Sequence, residues 1–204
     1  MSHTLLIGGS GFIGIHLAKI LKDNGRKVTI VGKKEIPPDN LSKNINYISG
    51  NFGNQMFLID ILKEVDEIVH LAYTSVPKTS FENPIDDIFN NLSYSVKLFE
   101  VALKFPIKKI IFISTGGAVY GNAQYLPIDE NHKTDPISPY GITKLSIEKY
   151  ALMFHYINKL PIVILRPGNA YGEGQIPFKG QGFISTAIAS IIRNIPINLF
   201  GENG

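Results

Sequence analysis

Short apolar runs alternate along this chain with longer segments in which apolar residues recur at helical spacing. The runs at 28–31, 110–113 and 162–165 are apolar at every position instead of alternating with polar residues. Strands that are covered on both faces, as in a parallel sheet between two layers of helices, have this pattern. The pattern predicts strands near 4–8, 27–31, 45–49, 67–72, 108–113, 161–165 and 196–200, and helices near 12–24, 54–64, 85–104, 138–158 and 182–193.

The alternation of predicted strands and helices indicates the α/β class, with a doubly wound parallel sheet of the Rossmann type. Stretches that contain Pro and Gly, at 73–84, 114–139 and 166–182, each follow the end of a predicted strand. Ligands bind at this edge of such sheets. We expect a dinucleotide-binding Rossmann domain over 1–165. The beginning of a small substrate-binding domain is expected over 166–204, and its final strand could return to the sheet.

Composition excludes several classes of protein. The 204 residues include 20 Lys and Arg against 17 Asp and Glu, and so small an excess does not indicate nucleic-acid binding. The chain has no cysteine and its five histidines are scattered, so no metal site is predicted. No apolar stretch reaches the roughly 18 residues that span a bilayer, and a strand-like run begins at once, which leaves no room for a leader. We therefore expect a cytoplasmic protein without membrane partners.

The turn after the first predicted strand has glycines at positions 8, 11 and 14, directly before a predicted helix. Gly8 permits a tight turn, Gly11 lets the backbone approach a pyrophosphate, and Gly14 allows close packing of helix on strand. The helix N-terminus favours the phosphate charge. This context predicts dinucleotide binding, and a purely structural turn is the alternative.

The end of the second predicted strand indicates which dinucleotide binds. An acidic residue at this position holds the adenosine ribose in proteins that bind NAD, but the segment Val31-Gly32-Lys33-Lys34 has no carboxylate. Lys33 and Lys34 could instead face a 2′-phosphate, which favours NADP over NAD. A solvated basic turn is the alternative.

Tyr140 and Lys144 are four residues apart at the start of a strong helical segment, so the phenol and the ammonium lie on one face of the helix. A nearby cation favours the phenolate, and we expect Lys144 to lower the pKa of Tyr140 from about 10. Lys144 could also hold the nicotinamide ribose. Two hydroxyl residues, Ser114 and Thr115, follow the fifth predicted strand. Asp86 and Asp87 are interpreted as a charge pair at a helix start.

These segments together resemble the extended short-chain dehydrogenase/reductase family, in its NAD-dependent epimerase/dehydratase branch. The matching segments occur in the family's order and at its spacings, and they cover almost the whole chain: 8–14, 69–72, 90–91, 114–121, 138–144 and 165–172. The resemblance implies that Tyr140 and Lys144 are catalytic, with a hydroxyl from the segment that follows the fifth strand. Many relatives supply this hydroxyl at the position of Gly116, so Thr115 is assigned the role here, with Ser114 as the alternative.

The resemblance also implies the residues that contact the ligands. The cofactor-binding residues would be Gly8, Gly11, Phe12, Ile13, Gly14, Lys33, Lys34, Asn51, Phe52, Leu71, Ala72, Tyr73, Asn91, Tyr140, Lys144 and Gly168. The substrate-binding residues would be Asn169, Gln181, Gly182 and Phe200.

The activity implied by the resemblance is 4-epimerisation of a UDP-hexose or UDP-N-acetylhexosamine by a homodimer, in the supply of nucleotide sugars for polysaccharide biosynthesis. Tyr140 would take the sugar proton as a phenolate while a hydride passes to the nicotinamide and back. Gly117 and Ala118 stand where dehydratases carry an Asp-Glu pair, which disfavours 4,6-dehydration. Relatives continue beyond residue 204, so a truncated substrate domain is expected. The alternatives are an NADP-dependent reductase of a keto sugar nucleotide and a non-catalytic dinucleotide-binding protein.

Overall fold

A parallel sheet of six strands forms the centre of the fold in a computed structural model that describes residues 1–197. The strands are β1 (His3–Ile7), β2 (Lys27–Gly32), β3 (Asn46–Ser49), β4 (Glu67–His70), β5 (Lys109–Ile113) and β6 (Ile162–Leu165). Their order across the sheet is β3-β2-β1-β4-β5-β6, so the chain builds outwards from β1 in one direction and then in the other. This topology confirms the predicted doubly wound sheet.

Seven α-helices and one π-helical segment connect or follow the strands within the described residues. They are α1 (Phe12–Asp23), α2 (Gln55–Leu62), α3 (Pro77–Glu82), α4 (Pro84–Asp87), the π-helical segment (Ile88–Ser93), α5 (Tyr94–Ala102), α6 (Pro139–Asn158) and α7 (Phe183–Arg193). The single helix predicted near 85–104 is therefore interrupted. The Asn91 side chain donates to the backbone oxygen of Asp87 one turn earlier (2.9 Å), and such a bond competes with the regular helical pattern.

Both faces of the central strands β1, β2 and β5 are largely buried, whereas on the edge strand β6 the side chains of Val163 and Leu165 are 42% and 46% exposed among the described residues. Leu5 and Ile7 point to one face and join a core with α2, α5 and α6. Leu6 points to the opposite face and packs in a second core with residues of α1. Because successive strand residues alternate between two cores, neither position can be polar without cost.

Helix α6 begins immediately after the long loop that follows β5. The hydroxyl of Ser138 accepts a hydrogen bond from the amide of Gly141 (3.1 Å), and Pro139 occupies the first helical position. Both features are typical of a helix start. Tyr140 therefore lies in the first turn of α6, and Lys144 lies one turn later.

The chain divides into two compact units, Met1–Gly168 and Asn169–Gly204. All six strands and helices α1 to α6 belong to the first unit, and α7 belongs to the second. The strand predicted near 196–200 lies mostly outside the described residues, and 196 and 197 have no regular structure. No helix within residues 1–197 is long and apolar enough to cross a membrane.

Candidate active site

The carboxyl ends of β1, β4 and β5 lie side by side at one edge of the sheet. Ile7 pairs with His70, and His70 pairs with Phe112 on the next strand. The segments that follow these strands therefore emerge together, as predicted for a ligand-binding edge.

Packing requires glycine at two positions of the turn between β1 and α1. Gly8 has a φ of +80°, and a Cβ there would lie 2.5 Å from the Cα of Ala72. A Cβ at Gly14 would lie 2.4 Å from the Cα of Gly9. These contacts confirm the tight turn at Gly8, whereas Gly14 lets the helix pack closely on the turn itself, at Gly9, and not on the strand as predicted.

Gly11 has a different environment. Its φ of −81° is open to any residue, and a Cβ would meet only the Gly8 oxygen at 3.7 Å. The structure pairs none of the amide hydrogens of Phe12, Ile13 and Gly14 with an acceptor among residues 1–197, and no side chain caps α1. Unpaired amides at a helix start bind phosphate. The turn therefore fits a pyrophosphate, and glycine at position 11 leaves space for it.

The segment after β2 is covered by a tyrosine that sequence analysis did not identify. The hydroxyl of Tyr47 donates to the backbone oxygen of Lys34 (2.7 Å), and a Cβ at Gly32 would lie 2.4 Å from that hydroxyl. The side chains of Lys33 and Lys34 are exposed and form no ion pair within the described residues. The geometry of this turn is therefore fixed by Tyr47, while the two ammonium groups remain solvated.

The side chains of the two predicted residues after β3 both have contacts within the protein. The Asn51 oxygen accepts a hydrogen bond from the amide of Gly53 (2.9 Å) and so stabilises its own turn. Phe52 is only 4% exposed and packs edge-on against His70 and Tyr94. Because this ring belongs to the core, only the backbone of Phe52 can face a ligand.

Tyr140, Lys144 and Thr115 meet at the end of β5. The ring of Tyr140 packs edge-on against Tyr73, with 4.9 Å between ring centres. The ammonium of Lys144 donates to the backbone oxygen of Ile113 (2.7 Å) and lies 4.3 Å from the centre of the Tyr73 ring. It lies 5.9 Å from the centre of the Tyr140 ring. The predicted catalytic residues are thus neighbours, with Tyr73 beside them.

The predicted effect on the pKa of Tyr140 is wrong for this structure. Burial raises the pKa of Tyr140, and the hydroxyl of Thr115 opposes that change only in part. Lys144 is 4% exposed, and burial lowers its pKa to about 7, although the charges of Asp87 and Glu148 act in the other direction. Burial disfavours the charged form of both groups. The positive charge of Lys144 therefore does not determine the direction in which the pKa of Tyr140 shifts.

Ser114 and Thr115 have different partners. Buried Ser114 donates its hydroxyl hydrogen to Glu148, whose carboxylate also binds the Arg166 guanidinium (2.6 Å). Half-buried Thr115 is the hydroxyl that interacts with Tyr140. A Cβ at Gly116 would lie 3.0 Å from the backbone oxygen of Arg166, so a side chain at this position would require a small shift of the end of β6. These contacts favour Thr115 over Ser114 as the catalytic hydroxyl.

Asp87 is a buried residue of the site that the sequence interpretation missed. Its carboxylate accepts hydrogen bonds from the Tyr73 hydroxyl and the Asn91 amide, each at 3.1 Å. The Asn91 oxygen accepts from the amide of Thr74 (2.9 Å). The Asn91 side chain is thus engaged within the protein, and its predicted contact with the cofactor stays a prediction. The spacing of Asp87 and Asn91, one helical turn, was the available signal.

The remaining predicted residues lie near the junction of the units or in the second unit. Gly168 ends the first unit, and no atom lies within 4 Å of a Cβ placed on it. Asn169 and Gln181 are exposed residues of the second unit, and Gly182 (φ +84°) directly precedes α7 as its N-cap residue. Phe200 lies outside the described residues. These substrate contacts stay predictions.

Known proteins resemble the chain over nearly its whole length. The model of the NAD dependent epimerase/dehydratase family matches residues 4–204. A putative UDP-glucose 4-epimerase of Methanocaldococcus jannaschii is 34% identical over 97% of this chain and 66% of its own. The Thermotoga maritima UDP-glucose 4-epimerase, solved with UDP-glucose, is 33% identical with a TM-score of 0.91, over 98% of this chain and 66% of that one.

A third similar protein was solved with a dinucleotide. The Thermus thermophilus UDP-glucose 4-epimerase in complex with NAD is 27% identical with a TM-score of 0.88, over 97% of this chain and 65% of that one. The chain thus spans slightly less than two thirds of the length of these three proteins.

Proposed function

The chain belongs to the NAD dependent epimerase/dehydratase family, and from this membership we propose that it is a nucleotide-sugar 4-epimerase acting on a UDP-hexose or UDP-N-acetylhexosamine. One observation carries the proposal. Tyr140, Thr115 and Lys144 meet at the end of β5, at the same edge of the sheet as a glycine turn whose helix amides are unpaired within residues 1–197. Similarity to two UDP-glucose 4-epimerase structures supports the substrate class.

The proposed cofactor is NAD. The first turn of α1 would hold its pyrophosphate, Lys144 its nicotinamide ribose, and the nicotinamide would accept and return a hydride at the sugar carbon. The initial preference for NADP is not supported, because Lys33 and Lys34 are merely exposed and the Thermus thermophilus relative was solved with NAD. The acidic residue that holds the adenosine ribose in proteins that bind NAD is missing after β2. We propose that backbone groups of this turn, which Tyr47 holds in place, bind the ribose instead.

The protein's own acid–base chemistry centres on Tyr140. As a phenolate, Tyr140 takes the proton of the sugar 4-hydroxyl in one half of the cycle and returns it in the other half. The Thr115 hydroxyl orients the sugar oxygen and favours the phenolate by its hydrogen bond. The Lys144 ammonium lies 5.9 Å from the centre of the Tyr140 ring and, when protonated, places a positive charge near the phenolate. Gly117 and Ala118 provide no carboxylate for a dehydration step.

We also propose that two copies of the chain associate through one apolar face. Exposed apolar residues recur at helical spacing along one side of α6. They are Ile142, Tyr150, Met153, Tyr156 and Ile157. Ile85, Ile88 and Phe89 are exposed on the neighbouring segment, and an apolar groove of about 300 Å³ lies between the two. An exposed surface of this kind is typical of an interface.

The proposal is tested by identifying the cofactor released from denatured protein and by following conversion of UDP-glucose and UDP-N-acetylglucosamine to their 4-epimers. Retained NAD with epimer formation is expected. Tyr140→Phe should lose roughly 10²–10⁴-fold in turnover, the scale of a positioned acid–base group, while Tyr125→Phe, outside the site, retains turnover. If the protein is purified without cofactor, binds NADPH and reduces a keto sugar nucleotide, the alternative of a reductase is correct. If it binds NAD tightly without turnover, the alternative of a non-catalytic dinucleotide-binding protein is correct.

A further inference from the structure

The carboxylate of Asp87 is buried and forms no ion pair within residues 1–197. Its side chain is 1% exposed, and it accepts hydrogen bonds from the hydroxyls of Tyr73 and Ser75 and from the amide of Asn91. All three donors are neutral, so the protein buries this negative charge at a cost that hydrogen bonds offset.

The donors belong to the segment that lines the site. Tyr73 and Ser75 follow β4, and Thr74 between them is held by Asn91 through both its amide and its hydroxyl (2.9 and 3.1 Å). The ring of Tyr73 lies under the Lys144 ammonium (4.3 Å to the ring centre). The hydroxyl of this ring lies 3.1 Å from the Asp87 carboxylate and 3.5 Å from the backbone oxygen of Tyr140, so the bond to Asp87 is the shorter of the two.

The charge of Asp87 also raises the pKa of the buried Lys144 ammonium and so opposes the effect of burial. The titratable groups around Lys144 are His70, Tyr73, Tyr140, Asp87 and Glu148. Burial lowers the pKa of His70 to about 3, so its ring is neutral. The Glu148 carboxylate is already paired with Arg166. Asp87 is therefore the carboxylate whose charge is not balanced by another cation within the described residues.

We propose that Asp87 is a positioning residue of the site, which holds the Tyr73 ring against Lys144 and keeps the Lys144 ammonium charged. The inference rests on the proposed function, because Lys144 serves the dinucleotide. It concerns residues of this chain, however, and can be measured without any ligand.

The first experiment is a double-mutant cycle in thermal unfolding. Asp87→Asn is made in the wild type and in Lys144→Met, and melting temperatures are compared at pH 6 and pH 9. At pH 6, where Lys144 is charged, Asp87→Asn should lower the melting temperature by roughly 2–4 °C more in the wild type than in the Lys144→Met background. At pH 9 this difference should disappear, because the pKa of Lys144 is about 7.

Asp86→Asn is the matched control. It removes the same charge from the adjacent residue, but Asp86 is exposed and hydrogen-bonds only to Asn83. We expect equal effects of Asp86→Asn in both backgrounds. Equal effects of Asp87→Asn in both backgrounds at pH 6 would overturn the proposal.

The second experiment measures NAD affinity against pH. In the wild type the affinity falls as Lys144 loses its proton, and Asp87→Asn should move the midpoint to lower pH by about one unit. Tyr73→Phe removes the hydrogen bond to Asp87 but retains the Asp87 carboxylate. It should therefore weaken NAD binding about tenfold without moving the pH midpoint. This variant replaces Asp87→Asn in the experiment if Asp87→Asn does not fold. Wild-type affinity in Tyr73→Phe would contradict the positioning role. No NAD binding in the wild type would refute the proposed function, while the unfolding cycle still decides the role of Asp87.

Discussion

At the scale of single residues, Lys144 combines a function with a loss of stability. Its ammonium is buried between α6 and β5, with one hydrogen bond to a backbone oxygen and the faces of aromatic rings around it. These contacts replace only part of the hydration of an ammonium group, which is why burial lowers the pKa of Lys144 to about 7. A lysine with a proton affinity near neutral pH suits a site in which protons are exchanged.

Lys144→Met should therefore raise the melting temperature at neutral and acid pH. An unfolded lysine has its ordinary pKa of 10.5, and the folded value is about 7. The penalty for burying the charge is thus present in full below pH 7 and declines between pH 7 and 10.5. Calorimetric scans at pH 6 and pH 10 should show a gain at pH 6 that is largely lost at pH 10.

The same variant should lose NAD affinity, because methionine has no donor for the ribose. Lys149→Met, an exposed lysine of the same helix, should change neither property. A lower melting temperature for Lys144→Met at pH 6 would contradict the proposed penalty.

At the scale of elements, the turn between β1 and α1 contains glycines that are present for two different reasons. Gly14 is required by the protein itself, because the helix packs directly on the backbone of Gly9. Gly11 has no such contact, and the space beside it is bounded only by the Gly8 oxygen at 3.7 Å. Packing therefore explains the third glycine but not the second, for which we propose contact with the dinucleotide pyrophosphate.

Two substitutions distinguish these reasons. Gly11→Ala should leave the melting temperature unchanged or slightly higher and should weaken NAD binding by about 10- to 100-fold, the scale of 1–3 kcal/mol for overpacking. Gly14→Val should lower the melting temperature by several degrees, since its side chain meets backbone. Thermal unfolding and NAD titration of both variants check this, and unchanged NAD affinity in Gly11→Ala would contradict the assignment of the pyrophosphate.

At the scale of the whole molecule, the exposed apolar face of α6 is the feature that the fold of one chain leaves unexplained. Ile157 is 71% exposed on this face, and Ile20, on α1, is 58% exposed away from it. Single exposed apolar residues are common, but a stripe that runs along a helix beside a groove is not.

We expect the wild type to have the mass of a dimer by light scattering. Ile157→Asp should shift the mass towards one chain, because a carboxylate in the interface would be desolvated. Ile20→Asp, the same change on an equally apolar exposed residue, should leave the dimer intact. A wild-type protein with the mass of a single chain, or a dimer unaffected by Ile157→Asp, would refute the proposed face.

Sequence alone determined the features that depend on local pattern. Short, largely apolar runs predicted all six strands within the described residues, because strands of this sheet pack against helices. The spacing of Gly8, Gly11 and Gly14, and that of Tyr140 and Lys144, predicted two clusters that the structure places at the same edge of the sheet, because each pattern lies within one turn or one helix.

Tertiary structure decided what depends on residues that are distant in the chain. Three such features each involve segments from different elements. They are the burial of Asp87, the position of Tyr47 over Gly32 and the hydrogen bond between Ser114 and Glu148. The pKa of Tyr140 is raised because the side chain is buried, and burial is a property of the packed molecule. A local pattern fixes which groups share a face, but only packing fixes how much water each retains, and hydration decides the charge of Lys144 and Tyr140.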